Sequence, residues 1–123
     1  MIGSNILLDT NVILYFIGGR PGISELIDSK KIYISFITEL ELQLYKYNSE
    51  NDIKIIKNFL NETNIVDING IIKSKTIELS KKYSIKLADS IIAATSIFLN
   101  TPIFTADKQF RKIKELDLIF YTQ

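Results

Sequence analysis

The sequence lacks cysteine and histidine, and it has only two prolines and five glycines among 123 residues. Without cysteine there is no disulfide framework and no catalytic thiol. Without either residue type there is no Ser-His or Cys-His nucleophile pair, and no zinc site of the usual thiolate or imidazole kind. Any metal bound by these side chains must therefore be held by oxygen.

A long apolar run and an excess of one charge are also missing. The longest stretch without a charged side chain, residues 90–106, contains Asn100 and Pro102 and is too short and too polar to span a bilayer. Asp9 and Asn11 interrupt the first apolar run, and no basic residue precedes it, unlike a signal peptide. We therefore expect a cytoplasmic protein with no membrane partner. The net charge of +1 means that nucleic-acid binding would need a local basic patch.

Length and composition predict a single domain over residues 1–123, because a 46% hydrophobic and 24% charged chain is ordinary for one globular core. Short apolar runs alternate with segments of helical periodicity, the most apolar of which is Leu87–Leu99. This order, with strands that do not alternate in polarity, predicts a parallel sheet covered by helices on both faces. The predicted strands are 5–8, 32–34, 64–67, 103–105 and 118–121.

Acids placed directly after strands are candidate functional residues, because ligands of such sheets bind outside the carboxyl ends of the strands. Asp9 ends the first strand and Asp107 follows the fourth, although either could simply be a helix N-cap. Asp89 lies in the first turn of the most apolar helix, where it could equally complement the helix dipole.

Glu41 is the fourth candidate acid, and its neighbour Glu39 competes with it. Ser35 or Thr38 can cap the helix, and Thr38 to Glu41 fits a capping box. Helical spacing puts Glu39 on a polar stripe and Glu41 on an apolar one, where an unpaired carboxylate costs several kcal/mol to desolvate. We therefore favour Glu41. The helix is predicted to carry Leu40, Leu44 and Tyr47 on one face.

Four carboxylates converging on one cleft would repel one another unless a cation neutralised them. Ligands that are all oxygen favour Mg²⁺ or Mn²⁺. Such an ion activates water and stabilises a phosphoryl transition state, which is the chemistry of metal-dependent nucleases and phosphatases. Asn11 can donate its amide to a neighbouring carboxylate, and Thr105 offers a hydroxyl on the same side of the chain as Asp107.

Four segments carrying these acids resemble the signature segments of PIN-domain proteins, specifically the small VapC-like toxins of prokaryotic toxin-antitoxin pairs. They are LLDTNVIL at 7–14, ISFITELEL at 34–42, LADSIIAA at 87–94 and FTADKQF at 104–110. The resemblance covers the whole chain. It implies a Rossmann-like α/β/α sandwich, Mg²⁺- or Mn²⁺-dependent endoribonuclease activity on RNA, homodimers and neutralisation by a cognate antitoxin.

The resemblance also implies roles for individual residues. Catalysis and metal binding fall to Asp9, Glu41, Asp89 and Asp107, and Asn11 and Thr105 match supporting polar positions. Gln109 stands where many relatives carry a further acid, which weakens the second metal position. Basic residues beside Asp107 are candidate contacts for RNA phosphates, or else a solvated helix face; they are Lys108, Arg111 and Lys112, with Lys114 nearby.

Other classes were weighed against this hypothesis. A receiver-like phosphoacceptor module would need two adjacent acids after the first strand, where only Asp9 stands. A haloacid-dehalogenase-like phosphohydrolase would need an Asp at the position of Asn11. A PIN fold that has lost activity and binds protein partners is the third alternative, although all four acids are present.

Apolar and aromatic residues of two helices exceed what one sheet face needs: Leu44, Tyr45, Tyr47, Ile53, Ile56 and Phe59. An exposed patch of this kind usually marks a partner surface. The alternative is that these residues belong to the hydrophobic core. We expect a homodimer whose helical groove also accepts an amphipathic antitoxin segment.

Overall fold

The computed structural model describes residues 4–122, over which strands and helices alternate. The strands are β1 Asn5–Leu8, β2 Lys31–Ser35, β3 Asn64–Val66, β4 Ile103–Thr105 and β5 Leu118–Phe120. The helices are α1 Thr10–Ile17, α2 Ile23–Ile27, α3 Phe36–Leu44, α4 Glu50–Glu62, α5 Gly70–Tyr83 and α6 Leu87–Leu99, with a 3₁₀ helix at Lys108–Lys112. Within residues 4–122, none of the helices has the length and apolar character needed to cross a membrane.

All five strands form one parallel sheet in the order β3-β2-β1-β4-β5, which confirms the predicted architecture. The chain moves outward from β1 in one direction through β2 and β3, and in the other through β4 and β5. The strand order therefore reverses between β1 and β4, where Leu8 lies opposite Phe104. In a parallel sheet, the crevice at the carboxyl ends of two such strands is the usual place for a ligand site.

Hydrophobic cores lie on both faces of the sheet, as a three-layer sandwich requires. Ile6 and Leu8 point to the face covered by α1 to α4, whereas Leu7 between them packs against α5 and α6. This alternation follows from the two-residue period of a strand. The central strand is fully covered on both sides, which explains why its sequence is a continuous apolar run.

The start of α3 decides between the two predicted caps. The hydroxyl of Ser35 caps the helix by accepting from the amide of Ile37 at 3.2 Å, so Ser35 is confirmed as the cap and the capping box at Thr38 is wrong. Because the helix begins directly after β2, its inward residues are Thr38 and Leu42. The predicted apolar face is wrong too: Leu40 and Leu44 are exposed, and Tyr47 lies beyond the end of the helix.

The predicted exposed patch on α3 and α4 is only partly exposed. Leu44, Tyr45 and Ile53 are open to solvent, at 81%, 51% and 41% of their surface. Ile56 is buried and Phe59 packs against the core, because they lie on the face of α4 that covers the sheet. Of these residues, Tyr45, Ile53 and Ile56 line a groove between the helices.

Candidate active site

The four predicted acids line one cleft. Asp9 follows β1, Asp107 follows β4, Glu41 lies in α3 and Asp89 lies in the first turn of α6. The cleft has a volume of about 250 Å³ and is completed by Thr10, Asn11, Leu14 and Tyr45. Residues 18 to 98 positions apart in sequence therefore meet at the β1/β4 reversal of the strand order.

Asp9 is the buried member of the set, with only 5% of its surface exposed. Its backbone amide donates to the carbonyl of Phe104 at 3.0 Å, which extends the pairing of β1 with β4. Its carboxylate accepts from the Thr10 amide at 2.8 Å and from the Thr105 hydroxyl at 2.7 Å. Each carboxylate oxygen thus has one protein donor and keeps a further acceptor site towards the cleft.

Thr105 joins two of the acids. Its hydroxyl donates to Asp9 and accepts from the backbone amide of Asp107 at 3.0 Å. Asp107 in turn caps the 3₁₀ helix by accepting from the amide of Gln109 at 2.9 Å. The cap alternative for Asp107 is therefore correct, and it coexists with a place in the cleft.

Thr10 joins Asp9 to Glu41, a role that the sequence reasoning missed. Its hydroxyl donates to Oε1 of Glu41 at 2.6 Å and lies 3.1 Å from the Thr38 hydroxyl oxygen. The sequence feature that could have indicated this role is a hydroxyl residue at the first position of a helix, directly after a candidate acid. Thr10 and Thr105 together place donors on three of the carboxylate oxygens that face one another.

Burial is the main electrostatic feature of the cleft. Desolvation raises the pKa of Asp9 from 3.8 to about 6, against the opposing hydrogen bonds from Thr105 and Thr10 and with help from the nearby Asp89 and Asp107. The pKa of Asp89 is also raised, first by burial and then by Asp107, while Lys86 lowers it and Glu41 raises it. Negative charge in this cleft is therefore held at a cost, and a cation would relieve that cost.

The other predicted residues have mixed placements. Glu39 lies apart from the cleft, among residues that include Gln43, Lys57 and Ile65, as the helical phase required. Asn11 lines the cleft, but no side chain among residues 4–122 accepts its amide. Lys108, Gln109, Arg111 and Lys112 are all exposed on the 3₁₀ helix after Asp107.

The donor set suits a hard divalent ion, because the polar groups that line the cleft offer oxygen and neither thiolate nor imidazole. The residues are not gathered into a finished ligand shell. Across residues 4–122, no three acidic side chains stand close enough together to hold a metal ion as they are. The arrangement is a cleft of mutually repelling carboxylates held apart by hydroxyl donors.

Fold and site together define a class: parallel α/β proteins with a carboxylate-lined cleft at the reversal of strand order. The chain belongs to the PIN domain family, because the family model described as PIN domain matches residues 6–116. A comparison with curated proteins gives no match.

Similar solved structures are toxin-antitoxin complexes. VapBC2 from Rickettsia felis contains a chain with a TM-score of 0.82 and 24% identity, covering 96% of this chain and 99% of that chain. A chain of a toxin-antitoxin complex from Klebsiella pneumoniae has a TM-score of 0.80 and 24% identity, and the match covers 93% of this chain and 95% of that chain. For VapBC-1 from nontypeable Haemophilus influenzae the TM-score is 0.77 and the identity 26%, with 94% of this chain and 97% of that chain covered. The resemblance to VapC-like PIN-domain proteins is confirmed.

Replacing Asp9 should stabilise the protein above pH 6. The pKa of Asp9 is higher in the folded state than its ordinary value, so stability falls as the pH rises from about 4 to about 6 and stays reduced above that. We expect Asp9→Asn to raise the free energy of unfolding at pH 7.5 by up to about 3 kcal/mol, with the gain vanishing near pH 4. Urea denaturation of the variant and the wild type, at pH 7.5 and at pH 4 in the presence of a chelator, measures the gain and its loss.

The matched control is Asp117→Asn, which removes an exposed carboxylate outside the cleft. It should change stability by less than about 0.5 kcal/mol at either pH. A loss of stability in Asp9→Asn at pH 7.5 would show that the hydrogen bonds to Asp9 outweigh its burial.

Proposed function

We propose that the protein is a metal-dependent endoribonuclease, the toxin of a toxin-antitoxin pair, and that Asp9, Glu41, Asp89 and Asp107 hold Mg²⁺ or Mn²⁺. The observation that carries the proposal is that these four acids, from four separate elements, line a single cleft. Membership of the PIN family and the likeness to toxin-antitoxin structures support it. The absence of cysteine and histidine from the sequence leaves no other nucleophile or base of the usual kind.

The chain's own residues set up the site before any ion arrives. Thr105 and the Thr10 amide hold the Asp9 carboxylate in one orientation, and the Thr10 hydroxyl does the same for Glu41. A bound Mg²⁺ or Mn²⁺ would activate a water molecule and stabilise charge on the phosphoryl group. Asp89, in the first turn of α6, lines the same cleft and is proposed as a further ligand of the ion.

The alternatives lose support. The PIN family model covers most of the chain, which disfavours a receiver-like module. An inactive PIN scaffold would have no need to hold carboxylates in a cleft where burial raises the pKa of Asp9 to about 6.

Loss of either inner acid should abolish activity. We expect Asp9→Asn and Asp89→Asn each to lower metal-dependent RNA cleavage more than about a hundredfold, beyond the effect of losing a merely supporting residue. The assay is cleavage of total RNA with mapping of the cut sites, with Asp117→Asn as the active control. If either variant cleaves at the wild-type rate, the site assignment is wrong.

The two glutamates of α3 provide a matched pair. Both are half-buried, but only Glu41 lines the cleft. We expect Glu41→Gln to lower cleavage about tenfold or more and Glu39→Gln to change it less than about twofold. Because both variants remove one charge from the same helix, equal losses would indicate a general effect on α3 rather than a role at the site.

A groove between α3 and α4 supports the proposed antitoxin partner. It has a volume of about 520 Å³ and an apolar wall that includes Leu42, Tyr47, Ile56 and Leu60. Tyr45 and Ile53 lie at its exposed rim, and Lys46 and Lys57 add positive charge. A groove of this kind fits the apolar face of an amphipathic helix that carries acidic side chains. Tyr45 also lines the acid cleft, so an occupant of the groove would reach the proposed catalytic residues.

The partner proposal is tested by inhibition. We expect the chain to be a homodimer by light scattering across a dilution series, and its nuclease activity to be blocked by the product of the neighbouring gene. Ile53→Asp should weaken that inhibition about tenfold or more, because a charge would replace an apolar anchor. Ile77→Asp, on an exposed position of α5, is the control. A monomer whose activity is unaffected by the neighbouring product would contradict the proposal.

A further inference from the structure

A second, smaller pocket beside the acid cleft combines aromatic rings with positive charge. It has a volume of about 240 Å³, and its wall includes Tyr15, Arg20, Lys108, Phe120 and Tyr121. No acidic side chain lines it. In this it differs from the acid cleft.

The pocket continues the acid cleft along two elements. On α1, Asn11 lines the cleft and Tyr15, one helical turn later, lines the pocket. After β4, Asp107 lines the cleft and the next residue, Lys108, lines the pocket. Consecutive Cα atoms are about 3.8 Å apart, so the cleft and the pocket lie next to each other along these two elements.

Arg20 is held in place before any ligand binds. Its guanidinium carbon lies 3.9 Å from the centroid of the Tyr15 ring, and its backbone amide donates to the Tyr15 carbonyl at 3.0 Å. The Tyr121 hydroxyl donates to the carbonyl of Pro21 at 2.8 Å, which holds the loop between α1 and α2 against the C-terminal segment. Gly19 and Gly22 in this loop have φ of 81° and 87°, a left-handed backbone conformation that glycine adopts without strain.

Among residues 4–122, neither cation of the pocket has an acidic partner. The ion pairs found within residues 4–122 are Lys75–Glu78 and Lys82–Glu115, on the α5 side of the molecule. Most lysines share this lack of a partner, so it does not by itself mark a site. What distinguishes Arg20 and Lys108 is that they flank aromatic rings immediately beside a cleft that would otherwise repel a polyanion.

We infer that this pocket binds a nucleotide of single-stranded RNA adjoining the bond to be cut, with the base stacked on the Arg20 plane or the Phe120 ring and the phosphate held by Lys108. Bases of single-stranded RNA stack on aromatic rings and on guanidinium planes, and a lysine next to them supplies the backbone charge. The inference rests on the proposed ribonuclease function. Lys108, Arg111 and Lys112 were predicted to contact RNA phosphates, and the inference keeps that role for Lys108, which lines the pocket. Arg111 instead lies over the Phe120 ring, with its guanidinium carbon 3.9 Å from the ring centroid.

The test measures binding separately from cleavage. Fluorescence anisotropy with a labelled single-stranded RNA oligonucleotide, in the presence of a chelator, reports affinity and its salt dependence. Lys108→Ala should weaken binding and reduce the slope of log K against log salt by about 0.7, the value for one phosphate contact on a single strand. Lys108→Arg should restore both.

Arg20 has a different signature because its role is stacking. Arg20→Lys keeps the positive charge but removes the planar guanidinium group. We therefore expect about tenfold weaker RNA binding with an unchanged slope of log K against log salt. The control is Lys73→Ala, which removes an exposed charge from α5 and should leave affinity and slope as in the wild type.

The outcomes separate the two proposals. If the wild type cleaves and binds RNA but the Arg20 and Lys108 variants bind it equally well, the pocket assignment is overturned and the ribonuclease proposal stands. If the variants instead lose only inhibition by the antitoxin, the pocket is a protein contact and the inference is also overturned. If the wild type neither binds nor cleaves RNA, both proposals fail.

Discussion

The burial of one carboxylate, Asp9, at the carboxyl end of the central strand is the constraint on which the site depends. The pairing of β1 with β4 places it there, and the Thr10 amide and the Thr105 hydroxyl compensate its burial only in part, since its pKa still rises to about 6. Because an apolar residue would fill the same volume without this cost, the carboxylate is difficult to explain by stability alone. The proposed cation site would account for its position.

The hydroxyl residues of the cleft link the segments that carry three of the acids. Thr10 donates to the carboxylates of Asp9 and Glu41, and Thr105 donates to the Asp9 carboxylate and accepts from the backbone amide of Asp107. The hydrogen bonds that offset the cost of burying these carboxylates therefore come from α1 and β4 and reach α3, and they are not confined to one loop. A cleft with this construction keeps its geometry while its net negative charge remains available to a ligand.

Three surfaces of different chemistry meet around this cleft. The acids line the cleft, Tyr45 lines both the cleft and the apolar groove between α3 and α4, and the pocket of Arg20 and Lys108 lies next to the cleft along α1 and the segment after β4. Under the proposed function, a polyanionic substrate and an amphipathic protein segment would reach the same acids across different surfaces.

The sequence by itself determined the element order, the parallel sheet and the four acids, because strand-ending acids and the two periodicities are local features. Leu87–Leu99 and Ile103–Thr105 were bounded correctly for this reason. The cap of α3 was left open, since Ser35 and Thr38 are equivalent as local signals and only the length of β2 decides between them. The sequence predicted which glutamate of α3 lines the cleft, but not the apolar face of that helix. The bridging role of Thr10 and the pocket of Arg20 also required the tertiary structure. Each joins residues from separate elements, and no local pattern fixes how far apart such side chains lie.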